Sequence, residues 1–135
     1  MTVTRVLVVD DIEMFCEMAK VVLDAAGFDT ETSCDAQAAQ ARIGVFQPDV
    51  ILMDIQMPEV DGIELTRRLK ADPATRHIVV VAFTAFAARG DEQGLKAAGF
   101  DGFIAKPVDV MTLAAQVHFW LEAPASARGS HFVWP

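Results

Sequence analysis

One short stretch, residues 50–58 with the sequence VILMDIQMP, limits the folds open to this chain more than any other feature. Four consecutive apolar residues, beginning at Val50, lead directly into the carboxylate of Asp54. A short continuous apolar run is typical of a strand that is buried on both faces of a parallel sheet. Pro58 cannot extend such a strand, because proline lacks the N–H that a sheet ladder needs. Since ligands of open α/β sheets bind at the carboxyl ends of the strands, we expect Asp54 to lie at a binding edge.

The composition indicates one soluble domain with an acidic surface. The chain has 135 residues, 53% of them hydrophobic, which is enough for a core without disulfide or metal support. No apolar run approaches the roughly 20 residues that a membrane-spanning helix needs, and the first residues do not resemble a signal peptide, so we expect a cytoplasmic protein without a membrane partner. The net charge of −8 argues against nucleic-acid binding, which usually requires a basic surface. Cys16 and Cys34 lack a zinc or redox spacing, so both are expected to be reduced packing residues.

Strands and helices are predicted to alternate five times along the chain. The predicted strands β1 to β5 span residues 5–9, 28–34, 50–54, 77–83 and 103–105, and the predicted helices α1 to α5 span residues 12–26, 35–46, 63–71, 85–98 and 109–121. Apolar and polar residues alternate in β2, which is typical of a strand at a sheet edge. The alternation of strands and helices predicts a flavodoxin-like, doubly wound parallel sheet in the order 2-1-3-4-5. We expect one domain over residues 1–122 and a flexible tail over residues 123–135.

The predicted strand order brings three carboxylates to one edge of the sheet. Asp10 and Asp11 follow β1, and Asp54 ends β3. Carboxylates this close repel one another, so a compensating cation is needed, and oxygen-only ligands favour Mg²⁺ or Ca²⁺. Lys106 after β5 adds a positive charge, and Thr84 after β4 adds a hydroxyl donor. Together with a carboxylate that can act as a nucleophile, these groups are what a phosphoryl group needs for positioning and charge neutralisation.

These motifs resemble those of response-regulator receiver domains, the CheY-like superfamily, over about residues 5–121. The resemblance rests on four motifs in order: Asp10-Asp11, LMDIQMP at 52–58 with Asp61-Gly62, Thr84-Ala85 and Lys106-Pro107. Each motif alone is weak evidence for this family, but the four motifs together, in order and at matching strand ends, are highly specific to it. The segments Thr84-Ala85-Phe86-Ala87 and Gly90-Asp91-Glu92 are similar to those of DivK-like single-domain regulators and of receivers attached to hybrid kinases.

The resemblance implies a phosphoacceptor and a set of metal ligands. Asp54 resembles the phosphoacceptor of the family, and Asp11, Asp54 and the backbone carbonyl of Gln56 resemble its Mg²⁺ ligands. Asp10 is implied to support the metal, often through water. The implied cofactor is therefore Mg²⁺.

The resemblance also implies a switch and a set of partners. Thr84 and Phe103 would form the switch pair, and Lys106 would contact the phosphoryl group, followed by a cis peptide bond to Pro107. A histidine kinase or histidine phosphotransferase would donate the phosphoryl group, and the signal would pass to a protein target through the α4-β5-α5 face. The implied protein is a monomer or weak homodimer and not an enzyme beyond its own phosphorylation and slow autodephosphorylation.

Three alternatives to this interpretation are a phosphohydrolase, a cofactor binder and a scaffold. A Mg²⁺-dependent phosphohydrolase with an aspartyl nucleophile would need a substrate pocket and a second acid for acid–base chemistry. A flavodoxin-like cofactor binder would need a Ser/Thr/Gly-rich phosphate loop after β1, where this chain has the acidic segment Asp10-Asp11-Ile12-Glu13, which would repel phosphate. A metal-free pseudo-receiver would act only as a scaffold, and the complete set of acids together with Lys106 argues against it.

Overall fold

The computed structural model of the protein describes residues 3–55, 62–84, 96–105 and 111–122. Within these residues, five parallel strands form one sheet in the order β2-β1-β3-β4-β5. The strands are β1 Arg5–Val9, β2 Asp29–Ser33, β3 Val50–Asp54, β4 Val79–Thr84 and β5 Gly102–Ala105. This arrangement confirms the predicted flavodoxin-like sheet and its strand order.

Helices lie on both faces of the sheet. They are α1 Glu13–Ala25, α2 Ala36–Phe46, α3 Gly62–Ala71 and α5 Leu113–Glu122. Of the predicted α4, the described residues include only the helical residues 96–98. Helix α5 begins later than predicted, because residues 111–112 form a turn and the carbonyl of Thr112 accepts a hydrogen bond from the N–H of Gln116 at 2.9 Å. None of the helices in the described part of the chain has the length and apolar character needed to cross a membrane.

The sequence predicted that strand β4 begins at His77, but in the structure it begins at Val79. The residues before it, 73–77, form turns, and the N–H of Ile78 donates to the carbonyl of Thr75 at 3.0 Å. This local hydrogen bond holds the backbone in a turn, so pairing with β3 starts only at Val79.

Strand β2 lies at the edge of the sheet, as predicted, but its alternation differs at the carboxyl end. Thr32 is exposed and Ser33 is buried, whereas strict alternation predicted the opposite. The carbonyl of Ser33 accepts the N–H of Asp10 at 3.1 Å, which draws this end of β2 toward the end of β1.

The core consists of two apolar layers separated by the sheet. Side chains of α2 and α3 cover one face, together with Ala98 and Phe100, and side chains of α1 and α5 cover the other. The four apolar residues 50–53 of β3 are completely buried, and successive residues contribute to opposite layers. The central strand is therefore buried on both faces, as the sequence predicted.

The two cysteines have different environments, and the prediction is confirmed for only one of them. Both thiols are free. Cys16 is buried in the layer formed by α1 and α5, so it is a packing residue as predicted. Cys34 is exposed, so the prediction that it packs in the core is wrong. It directly follows β2 at the open edge of the sheet, where β2 pairs only with β1.

Candidate functional site

Asp54 ends the central strand at the carboxyl edge of the sheet. Its side chain is only 3% exposed, and it pairs in register with Phe83 of β4. The ring of Phe15, from α1, packs edge-on against the ring of Phe83 with centroids 4.6 Å apart. The residue that pairs with Asp54 in the sheet therefore belongs to an aromatic contact between β4 and α1.

Asp10 is held by hydrogen bonds at both its backbone and its side chain. Its N–H donates to the carbonyl of Ser33, and its carboxylate Oδ1 accepts the N–H of Ile12 at 2.9 Å. The thiol of Cys16 donates to the backbone carbonyl of Asp10, with Sγ and O 3.3 Å apart. These bonds fix the turn between β1 and α1, and this turn also carries Asp11.

The three acids come together as predicted. Asp10 and Asp54 are buried and Asp11 is exposed, and each offers a carboxylate oxygen such that all three oxygens lie within 4.8 Å of one another. They come from the ends of β1 and β3, which are direct neighbours in the sheet. The parallel topology thus concentrates negative charge at one point of the carboxyl edge.

This cluster fits a small, hard cation. All three donors are carboxylate oxygens, which favour Mg²⁺ or Ca²⁺ over softer metals. Two oxygens bound on opposite sides of one Mg²⁺ lie about 4.2 Å apart, because each Mg–O distance is about 2.1 Å. The separation of the three oxygens, at most 4.8 Å, is close to that limit, so the cluster could contribute carboxylate ligands to one such ion.

Of the other predicted site residues, the structure describes Phe103 and the backbone of Thr84. Thr84 is the last residue of β4, and its backbone lies opposite Ala105 of β5. Phe103 is 1% exposed and belongs to the core layer on the α2 and α3 face. The side chain of Thr84 is not among the described atoms, and Gln56, Lys106 and Pro107 lie outside the described residues. Their roles at the site stay predictions.

Two features of the site were not predicted from the sequence. One is the hydrogen bond from the thiol of Cys16 to Asp10, since the sequence indicated only packing for this cysteine. The other is the close approach of Gly62, the first residue of α3, to the backbone of Asp54. The Asp61-Gly62 pair was a usable signal for the second feature, because glycine often marks a close approach of two backbone segments.

Comparison with known proteins assigns the chain to a family. The sequence profile of the response regulator receiver domain matches residues 6–118. Because this match covers most of the chain, the protein belongs to the response-regulator receiver domain family.

Individual relatives and solved structures agree with this assignment. The chain is 44% identical over 114 residues to the response regulator PleD of Caulobacter vibrioides, in a match that covers 84% of this chain and 25% of PleD. It is 40% identical over 105 residues to the polar-differentiation response regulator DivK of Brucella anthropi, covering 78% of this chain and 85% of DivK. The chain thus spans about a quarter of the length of PleD but most of the length of DivK.

Among solved structures, the chemotaxis response regulator CheY4 of Vibrio cholerae superposes with a TM-score of 0.83 at 28% identity. The superposition covers 88% of this chain and 99% of CheY4. The fold and the strand order are therefore those of the CheY-like receivers.

Proposed function

We propose that this receiver is a phosphorylation-controlled switch, which accepts a phosphoryl group on Asp54 in the presence of Mg²⁺. The observation that carries the proposal is the convergence of Asp10, Asp11 and Asp54, with carboxylate oxygens within 4.8 Å of one another at the carboxyl edge of the sheet. The relatives PleD and DivK, at 44% and 40% identity, are both response regulators, which supports a function of this class. Family membership favours this function over the phosphohydrolase and the cofactor binder, and the cluster of three acids favours it over the metal-free scaffold.

The chemical step is a transfer to the buried carboxylate. A carboxylate oxygen of Asp54 forms a bond to the phosphorus of a donor phosphohistidine, while the phosphorus–nitrogen bond breaks and its electron pair returns to the imidazole. Burial of Asp54, which is 3% exposed, would limit competition from water during the transfer. A bound Mg²⁺ would neutralise charge on the transferred group.

The acids of β1 would hold the cation, and they differ in how they can do so. Asp11 is exposed and free to orient toward an ion, so it is the better candidate for a direct ligand along with Asp54. One carboxylate oxygen of Asp10 already accepts the N–H of Ile12, which favours a supporting role through water. The Gln56 carbonyl would complete the protein ligands, and Lys106 and Thr84 would contact the phosphoryl oxygens.

The proposed donor is a histidine kinase or a histidine phosphotransferase, and the proposed receiver of the signal is a protein that contacts the α4-β5-α5 face. Phe103 supports this assignment, because it is a buried aromatic residue of β5, one of the elements that form that face. We further propose a cytoplasmic location, a monomer or weak homodimer, and no enzymatic activity beyond self-phosphorylation and slow autodephosphorylation.

The direct test is phosphorylation of the purified chain by acetyl phosphate and Mg²⁺, followed by intact mass. The wild-type chain is expected to gain one phosphoryl mass, and Asp54→Asn is expected to gain none, because the amide keeps the shape of the side chain but is not a nucleophile. Asp29→Asn, which alters an exposed aspartate of β2, is the matched control and should behave as wild type. A phosphoryl gain in Asp54→Asn equal to that of wild type would refute Asp54 as the acceptor.

A further inference from the structure

Helix α3 starts directly against the end of β3. Gly62 is buried, and a Cβ atom added there would lie 2.6 Å from the backbone oxygen of Asp54 and 3.2 Å from the Cα of Ile55. Real Cβ atoms essentially never approach another heavy atom closer than 3.0 Å. The nearest atoms belong to the backbone, so they cannot rotate away as the tip of a flexible side chain could.

We infer that Gly62 is a positioning residue for Asp54: the absence of a side chain lets α3 pack against the strand end and so holds the acceptor carboxylate at its place beside Asp10 and Asp11. Gly62 would not touch the phosphoryl group or the cation itself. The inference deepens the proposed function and rests on it.

The strand end is the part that would yield to a larger residue at position 62. Residues 50–53 of β3 pair with β1 on one side and with β4 on the other, whereas Asp54 pairs only with Phe83 of β4. The ladder with β1 thus ends one residue before Asp54, so the end of β3 is where the added Cβ meets the sheet. Any shift of the Asp54 backbone moves its carboxylate relative to the acids of β1.

Helix α3 is anchored both in the core and at the amino edge of the sheet. Leu65 and Leu69 are buried in the core. Near the end of the helix, Nζ of Lys70 donates to the carbonyl of Ile78 and to Oδ2 of Asp101, both at 2.7 Å. Because these contacts oppose a retreat of the helix, an added Cβ at position 62 would displace the backbone of Asp54.

A displacement of this kind should affect chemistry more than folding. Transfer to a carboxylate requires the reacting atoms to be aligned, and a misplacement of about 1 Å can cost on the order of 100-fold in rate. We therefore expect Gly62→Ala to slow phosphorylation by acetyl phosphate by about 10- to 100-fold. The affinity for Mg²⁺ should fall as well, because the carboxylates of Asp54 and Asp11 no longer face one ion.

Two other glycines provide matched controls. Gly44, within α2, has no heavy atom within 4 Å of an added Cβ, so Gly44→Ala removes a glycine without a clash. At Gly102, the first residue of β5, an added Cβ would overlap the ring of Trp120, so Gly102→Ala creates a clash in the layer that contains α5 and leaves the contact between α3 and β3 unchanged.

The experiment measures three quantities for wild type and each variant: the initial rate of phosphoryl gain by intact mass, the dissociation constant of Mg²⁺ by calorimetry, and thermal unfolding without Mg²⁺. Gly62→Ala is also measured in the Gly44→Ala background, where a more stable α2 raises the folded fraction. We expect the rate and the Mg²⁺ affinity to fall in both Gly62→Ala chains and to be unchanged in Gly44→Ala and Gly102→Ala, even where Gly102→Ala melts at a lower temperature.

Several outcomes would overturn the inference. One is a rate and Mg²⁺ affinity in Gly62→Ala equal to those of Gly44→Ala. Another is an equal loss in Gly102→Ala, which would show that any destabilisation slows the reaction. Failure of Gly62→Ala to fold in either background would show that the glycine is required for the fold and not for position. A wild-type chain that neither binds Mg²⁺ nor gains a phosphoryl group would instead refute the proposed function.

Discussion

At the scale of single residues, three chemically identical acids acquire different properties from their positions. Asp10 and Asp54 are buried, and Asp11 is exposed although it neighbours Asp10 in the chain. Asp10 is also bound by the N–H of Ile12. The exposed acid, Asp11, would therefore exchange water for a cation with the least rearrangement. A substitution at Asp11 is thus the best way to test metal binding without a large effect on the stability of the fold.

Replacing Asp11 by alanine should weaken Mg²⁺ binding by more than it weakens the fold. Loss of a direct carboxylate ligand is expected to lower the affinity at least tenfold, whereas the free energy of unfolding without Mg²⁺ should stay within about 1 kcal/mol of wild type or rise, because an exposed like charge is removed. Calorimetric titration of Mg²⁺ and urea unfolding check both values. Glu13→Ala removes a nearby exposed carboxylate that does not belong to the cluster and serves as the control. An unchanged Mg²⁺ affinity in Asp11→Ala would contradict the assignment.

At the scale of elements, the edge strand β2 is held to α1 by a small polar network. Nζ of Lys20 contacts Oδ2 of Asp24 at 2.9 Å and donates to the carbonyl of Thr30 at 2.7 Å. The N–H of Thr30 donates to Oδ1 of Asp24 at 3.2 Å. The hydrogen bond from Lys20 is the main cause of a lowered pKa at Asp24, and bonds from Thr30 add to it while burial opposes it. Since β2 pairs with only one other strand, this network contributes to holding it in place.

The network predicts a specific dependence of stability on pH. The pKa of Asp24 is lower in the folded chain than its ordinary value of 3.8. The ionised Asp24 therefore contributes its full stabilisation of the folded state above pH 3.8, and this stabilisation is lost as the pH falls through the lower pKa of the folded chain. Asp24→Asn should therefore reduce the free energy of unfolding at pH 7, by less than about 1 kcal/mol since the pair is largely exposed, and the difference between the two chains should shrink as the pH falls below 3.8. Urea unfolding at several pH values measures this difference. A gap between the two chains that stays constant as the pH falls below 3.8 would contradict the prediction.

At the scale of the whole molecule, the two edges of the sheet differ in how they are restrained. At the amino edge, Lys70 joins the end of α3 to the carbonyl of Ile78 before β4 and to Asp101 before β5. Oδ2 of Asp101 also accepts the N–H of Val80 at 2.9 Å. These bonds tie three elements together far from the acids, so rearrangements of β4 and β5 are expected to occur at the carboxyl edge, where Asp54 and Thr84 end their strands.

Phosphorylation should therefore alter local stability beyond the acid cluster. With beryllofluoride and Mg²⁺ as an acyl-phosphate mimic, amide hydrogen exchange is expected to change at the end of β3 and also at Phe103 and in α5, while the backbone around Val80 stays as in the free chain. Thr84→Ala should still bind the mimic but transmit less of the change to Phe103, because the phosphoryl oxygens lose a hydroxyl donor. Changes confined to the residues next to Asp54 in the wild-type chain would refute the switch.

The sequence by itself determined the sheet, its order and the gathering of the three acids. The fully apolar residues 50–53 require burial on both faces, and strands separated by helices require parallel pairing with crossovers of one hand. Asp10, Asp11 and Asp54 then meet because the carboxyl ends of neighbouring parallel strands share one edge. Each of these results depends on local patterns and on rules of connection, so each could be predicted without coordinates.

Only the tertiary structure decided how these parts touch. The contact of Gly62 with Asp54, the thiol bond from Cys16 to Asp10 and the exposure of Cys34 depend on where separate elements come to rest against one another. Side-chain periodicity specifies which face of an element is buried, but it does not specify distances of a few tenths of an ångström between backbones. Those distances follow from the packing of the whole core, and they decide where the carboxylate of Asp54 lies.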